Sequence, residues 1–276
     1  CLDLFYQFFC CTSYFNLSNM PINKNVFIAA AIISLGFLTK EVIDTQNNAR
    51  KAAPNTQQTI SAAAEKMQQM NDDPTKKAAL FTLSGAEKNT DDVLANLSKQ
   101  YINAILIQSN QYHEAYQKLG FSTLLSGKRL LKDKDMRESY SILNQAKTLS
   151  QAQITRFDEI QQGFKASVQN SNLSESDKLK LLAMVEPKMA QSKVKFTEKI
   201  NLEINSIELF EKAIQILSHR EKWSVEGDDP VFKTDADLKA YNSYMIAIQA
   251  NGKRGKEIAQ SSIDTIKQEV RELQTP

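Results

Sequence analysis

Residues that break helices are too rare in this chain to punctuate anything but long helices: its 276 residues include eight glycines and six prolines. Gln, Asn, Ser, Lys, Ala and Leu dominate instead, a composition that disfavours turn-rich β architectures, collagen-like repeats and proline-rich disorder. The apolar share of 42% is ample for a buried core. The expectation is an all-α protein, an elongated antiparallel bundle of long helices with a short hairpin-like cap and an N-terminal apolar anchor or signal helix.

The apolar stripes divide the chain. Residues 40–89 read as short helices and linker: Pro54-Asn55 with Thr56 as cap opens a helix over 56–70. Asp72-Asp73-Pro74 then breaks the chain and starts a further helical turn through about Ser84, ended by Gly85. The long-helix bundle occupies 90–276. Thr90 with Asp91 and Asp92 suits a helix start, where a capping oxygen and two acids face the positive end of the dipole. Leu94, Leu97, Tyr101, Ile105, Tyr112, Tyr116 and Leu119 then share one face, and Gly120 and Gly127 bend or end it before a connection over Lys128–Lys134.

A second long helix is expected from about Asp135 to Gln169, with Met136, Tyr140, Leu143, Ile154, Phe157, Phe164 and Val168 on its stripe. Lys147, Ser150 and Gln161 interrupt that stripe. Ser174-Glu175-Ser176-Asp177 opens a third with a pattern like a capping box. Its seam is Leu179, Leu182, Met189, Phe196, Ile200, Ile207, Phe210, Ile214 and Leu217, and Pro187 is expected to kink it. Leu202, Leu209 and Ile216 add a second stripe, which places this helix centrally between two neighbours. Trp223–Lys233 breaks the pattern and reads as a small hairpin-like cap, with Trp223, Gly227, Phe232 and Tyr241 as its structural residues. Thr234 begins the last helix, along Leu238, Tyr241, Met245, Ile248, Gly252, Gly255, Ala259, Ile266, Val270 and Leu273.

Near the N-terminus, Met20-Pro-Ile-Asn-Lys-Asn25 followed by the apolar run Val26–Leu38 has the layout of a bacterial start with a signal-like segment. On this reading residues 1–19 are an upstream extension and 20–39 a signal peptide or signal anchor. A mature lipoprotein lipidated at Cys1 and a buried core helix are the competing readings. The run would measure about 20 Å as a helix, short for a stable crossing. Cleavage after Gly36 and retention as an anchor both stay open, and if uncleaved the segment makes the membrane a partner. No cysteine follows it, so no lipobox lies downstream of Met20. Cys1, Cys10 and Cys11 are the three cysteines, which excludes a disulfide framework or cysteine-based zinc site in the body.

Lys plus Arg (34) nearly balances Asp plus Glu (32), so no net field steers the chain toward nucleic acid, and no nucleic-acid partner is expected. Glu-x-x-His pairs of a bundle metal site are absent, because Asn110 precedes His113 and Ile216 precedes His219 at that spacing. Phosphate-loop, dinucleotide and nucleophile-elbow patterns are missing as well. Asp228-Asp229 lacks the alternating ligands of a calcium loop, and turn chemistry accounts for Gly227–Pro230. No metal, cofactor or catalytic residue is expected. The patch Gly252, Gly255, Ala259 is a candidate for close packing or binding, since each glycine inside a helix costs about 1 kcal/mol relative to alanine. Trp223, Phe210 and Phe196 are its candidate packing partners.

The stretch Trp223-Ser-Val-Glu-Gly-Asp-Asp-Pro-Val-Phe232, with Asp237-Leu-Lys-Ala-Tyr-Asn242 after it, resembles a family of uncharacterised bacterial envelope proteins, many of them lipoproteins with a domain of unknown function. The resemblance covers twenty to thirty residues and implies an envelope location and a helical fold, without an activity. The functional expectation is a non-enzymatic envelope protein, periplasmic or held on the periplasmic side of the inner membrane, that acts through protein or envelope contacts, with an unidentified envelope protein as partner. A ligand-binding sensor bundle and a membrane-inserting helical protein are the alternatives.

Overall fold

A computed structural model describes residues 54–72, 79–83, Gly85 and 87–274. The expected upstream extension, the apolar segment and the whole of residues 1–53 lie outside them. Six α-helices run through the described chain: α1 (Pro54–Asp72), α2 (Thr90–Lys118), the short α3 (Gly127–Lys132), α4 (Arg137–Gln169), α5 (Glu175–Leu217) and α6 (Asp235–Gln274). Strands β1 (Trp223–Glu226) and β2 (Asp229–Phe232) form one antiparallel hairpin between α5 and α6. Among the described residues no helix is long and apolar enough to cross a membrane.

The five longer helices close into a ring in which α1 packs on α2, α2 on α4, α4 on α5, α5 on α6, and α6 back on α1. Cross-links fix the directions. Between α4 and α5, Lys165 pairs with Glu186, Gln161 donates to the Met189 carbonyl, Lys193 reaches back to Asp158, and Phe157 stacks on Phe196 with ring centroids 4.5 Å apart. Rising numbers on one helix meet falling numbers on the other, so the two are antiparallel. Arg254 to Glu198 and Asn251 to Asn205 give α5 and α6 the same relation. At about 1.5 Å per residue, the 43 residues of α5 make a rod roughly 64 Å long.

The first helix departs from a simple up-and-down order. At the start of α1 the amides of Asn55 and Thr56 donate to the Asp91 carboxylate at the start of α2, and the Thr56 hydroxyl does so at 2.6 Å. The two helices therefore begin together and run parallel. The connection doubles back between them: Lys66 donates to the Ala79 carbonyl, and Asn103 exchanges two hydrogen bonds with the backbone of Phe81. The helical turn expected through Ser84 is not helical over residues 79–83. Here Phe81, beneath the Lys66 ammonium 3.8 Å from its ring centre, acts as a strap.

The buried stripes explain each helix. On α2 the expected face is buried from Leu94 to Tyr116, and on α4 Leu143, Phe157, Phe164 and Val168 point inward with Ser150 and Gln161 among them. In the first turns of α5 the expected face holds at the half-buried Leu182 but not at Leu179. Leu179 is 69% exposed, whereas Leu181 and Val185 continue the line of Met189 and Phe196 into the core. Stepping back from Met189 by four residues at a time selects those two, and Leu179 lies about 200° from Leu181 around the axis. Leu202, Leu209 and Ile216 form a half-buried second stripe, as α5 lies between α4 and α6. The helix continues through Pro187 without interruption. Having no N–H, this proline leaves the Ala183 carbonyl without its helical donor.

Residues 128–134, expected as a connection, contain most of α3, and the expected α4 start at Asp135 is an abrupt corner. Asp135 (φ 57°) and Met136 (φ 54°) both lie in the left-handed region, the only non-glycine residues to do so among those described. Each such residue costs roughly 1–2 kcal/mol. Burial of Met136, Leu130, Leu124 and Leu125 offsets this cost, together with the hydrogen bonds that the Glu138 and Ser139 amides donate to the Asp133 carboxylate.

Candidate functional site

Two polar assemblies stand out against this scaffold, one inside the rod and one at its end. The inner one joins four helices at mid-length. Tyr112 of α2 donates its hydroxyl proton to Glu203 of α5 at 2.6 Å and lies 2.9 Å from the Ser150 hydroxyl of α4. Tyr116, one turn on, stands edge-on to Tyr112. Lys199, one turn before Glu203 on α5, is buried with 6% of its surface exposed, and its alkyl chain crosses Gly255 of α6. A Cβ at position 255 would come within 3.3 Å of Lys199 Cε.

Burial dominates the electrostatics of this layer. It pushes the Lys199 ammonium down to about 7 against the opposing pull of Glu203. Burial also raises Glu203, while Lys199 and the Tyr112 hydroxyl draw it part of the way back. Both tyrosines are pushed well above 10, by burial first and by the Glu203 charge second. An ammonium, a carboxylate and two hydroxyls packed between helices fix the helices' relative register, because a slip strands a buried polar group at a cost of about 1–3 kcal/mol.

The outer assembly is the cap, at the end where α2 and α5 finish. A two-residue turn with glycine at its first central position, Gly227 at φ 66°, joins β1 to β2 in the manner of a type II′ hairpin. Asp228 makes the hydrogen bonds that seat the hairpin on α3: it accepts from the Ser126 hydroxyl and the Lys128 amide with its carboxylate, and from the Gly127 amide with its carbonyl at 2.7 Å. Those donors, the Ser126 hydroxyl foremost, hold Asp228 below the usual aspartate value. Gly127 permits the approach. A side chain there would meet the Asp228 carbonyl and Val225 at 3.0 Å.

At the far end of α3, Arg220 donates to the carbonyls of Leu130, Leu131 and Asp133. The buried Asp133 carboxylate accepts from the amides of Glu138 and Ser139, the Ser139 hydroxyl and Arg129. Burial alone would raise Asp133, but those donors overcome it and leave the carboxyl below its ordinary value. Trp223 is buried and donates to the Leu217 carbonyl at 2.8 Å, and Phe232 packs on Tyr241 with centroids 5.1 Å apart. Burial, then the nearby Asp229 charge, raises the Tyr241 hydroxyl. Of the expected cap residues, Trp223 and Phe232 pair across the hairpin, Phe232 meets Tyr241, and Gly227 forms the turn at the hairpin's other end.

The glycine patch is tightly packed at two of its three positions: the nearest neighbour of Gly255 is the Lys199 side chain, Ala259 is fully buried, and Gly252 has open space where a Cβ would stand. The signal for this contact was a lysine on the buried stripe, three residues after Phe196, opposite a helical glycine. Elsewhere, a shallow groove of about 560 Å³ runs between α4 and α5, lined by Tyr140, Lys147, Glu208, Glu211, Lys212 and Gln215. Lys147 and Glu208 pair within it at 2.8 Å. Among the described residues no three His, Cys, Asp or Glu side chains converge as metal ligands would. Comparison of the chain with protein-family models, with curated proteins and with solved structures finds no match.

Proposed function

We propose that this protein is a non-enzymatic bacterial envelope component, exported or membrane-anchored, whose helical rod acts by contact with another envelope protein. The observation that carries the reading is the placement of the two ends. The chain enters the rod at Pro54, beside the starts of α1 and α2, and the hairpin cap stands at the other end. A signal-like segment at Val26–Leu38 precedes that entry point. Retained in a membrane, it would tether the rod by its base, with the cap roughly 60 Å along the rod from that base. The resemblance at Trp223–Phe232 to envelope proteins points the same way. Inside the rod, Lys199 and Glu203 serve as a register layer and not as reacting groups, since they are packed between helices.

The test is a fusion of alkaline phosphatase after residue 50, expressed in a bacterial host. Enzyme activity is expected, because the reporter folds only after export. An inactive fusion of normal abundance refutes export. The α4–α5 groove favours a second reading, a sensor of a small polar ligand bearing both charges, matched by Lys212 and Glu211. A thermal-shift screen with zwitterionic metabolites should then raise the melting temperature, and no shift at millimolar ligand removes this reading.

A further inference from the structure

We propose that residues Asp133–Met136 are a hinge on which α3 swings between the bent arrangement described above and one in which α3 and α4 run as a single helix. The strain is local and observed: Asp135 and Met136 are consecutive left-handed residues, and neither is glycine. From Lys128 to Gln162 the sequence contains no glycine or proline to oppose a continuous helix.

Both arrangements satisfy the same backbone groups. In the bent one, the carbonyls of Leu130, Leu131 and Asp133 accept from Arg220, and the amides of Glu138 and Ser139 donate to the Asp133 carboxylate. In a continuous helix, those carbonyls would accept from the amides of Lys134, Asp135 and Arg137, and those amides would donate to the carbonyls of Lys134 and Asp135. Arg220 and Asp133 are therefore latches that substitute for helical hydrogen bonds, and releasing them strands no backbone group. Burial of Leu124, Leu125, Leu130 and Met136 keeps the bent form in the majority. Left-handed strain opposes it.

The connections allow the swing. Straightening carries the start of α3 about 15 Å beyond the start of α4, and the eight residues 119–126 can span roughly 26 Å when extended. Gly127 then leaves Asp228, so the hairpin loses its seat and Leu130 becomes exposed beside the already exposed Leu131. This motion at the cap is independent of whether the chain is exported.

Distances between two spin labels test the hinge in the full chain, with Cys1, Cys10 and Cys11 replaced by serine and labels at Lys128→Cys and Thr148→Cys. A continuous helix separates these positions by about 30 Å, twenty residues apart. Asp135 is exposed, and its carboxylate pairs only loosely with Arg137, at 3.7 Å, so substitutions there spare the core. Asp135→Ala, which disfavours the left-handed backbone, should raise the 30 Å population. Asp135→Gly should suppress it, with the ratio of long to short distances differing by roughly tenfold or more between the two variants. One distance distribution shared by the parent and both variants would overturn the hinge.

Discussion

Lys199 occupies the space over Gly255 that an apolar side chain would fill elsewhere in the core, and its charge is what makes the position distinctive. Its folded pKa near 7 lies below the ordinary 10.5. Between those values the unfolded chain binds a proton that the folded one has released, so stability rises with pH across that window. Glu203 works in the opposite sense on the acid side. Its raised pKa contributes stability that is complete below the ordinary 4.5 and lost as pH rises through the folded value. Urea midpoints at pH 7 and pH 9.5 should therefore climb in the wild type, with a slope of up to about 1.4 kcal/mol per pH unit. Lys199→Met, similar in length, should flatten the climb; an unchanged slope would mean that Lys199 is not its source. The two patch glycines separate just as clearly. Gly252→Ala meets open space and should stabilise by up to about 1 kcal/mol, raising Tm by roughly 2–4 °C, while Gly255→Leu overpacks Lys199 and should cost about 1–3 kcal/mol.

At the scale of elements, α3 is held by its neighbours and not by its own length, since six residues cannot sustain a helix in water. Gly127→Ala would press a methyl group against the Asp228 carbonyl at 3.0 Å. A rigid backbone atom cannot yield cheaply, so this variant should lose about 1–3 kcal/mol by chemical denaturation, and a neutral result would show that the hairpin is not seated there. Asp133 supplies the other restraint. Because its folded pKa is depressed, its contribution is present above the ordinary 3.8 and fades as pH falls below that value. Asp133→Asn should therefore be less stable by about 1–3 kcal/mol at neutral pH, with the gap closing in acid, as denaturation midpoints compared from pH 6 to pH 2.5 would reveal. The sequence shows the hairpin through Gly227 and the aromatic residues around it. It hides α3, because Lys128–Lys134 carries no apolar period of its own and is ordered by Asp228 and Arg220, about ninety to a hundred residues away.

For the whole molecule, the long helices were legible because each spends a continuous apolar stripe on the ring's interior, from Tyr101 to Tyr116 on α2 and from Phe157 to Val168 on α4. Two things were not. The parallel start of α1 beside α2 depends on Asn55 and Thr56 meeting Asp91, a long-range contact without a local signature. The inner layer was half visible, as Ser150 interrupting an apolar stripe, but its partners Tyr112 and Glu203 are matched only by the register of three helices. The ring encloses the apolar stripes and leaves two ends, the base at the starts of α1 and α2 and the hairpin cap, and the proposed role has a tethered rod act through them. That claim turns on which side of the membrane the rod occupies. The direct measurement is digestion by proteinase K added outside intact bacterial spheroplasts, read with an antibody against the last helix. Degradation before the membrane is broken is the predicted result; a chain protected until lysis would contradict the envelope assignment.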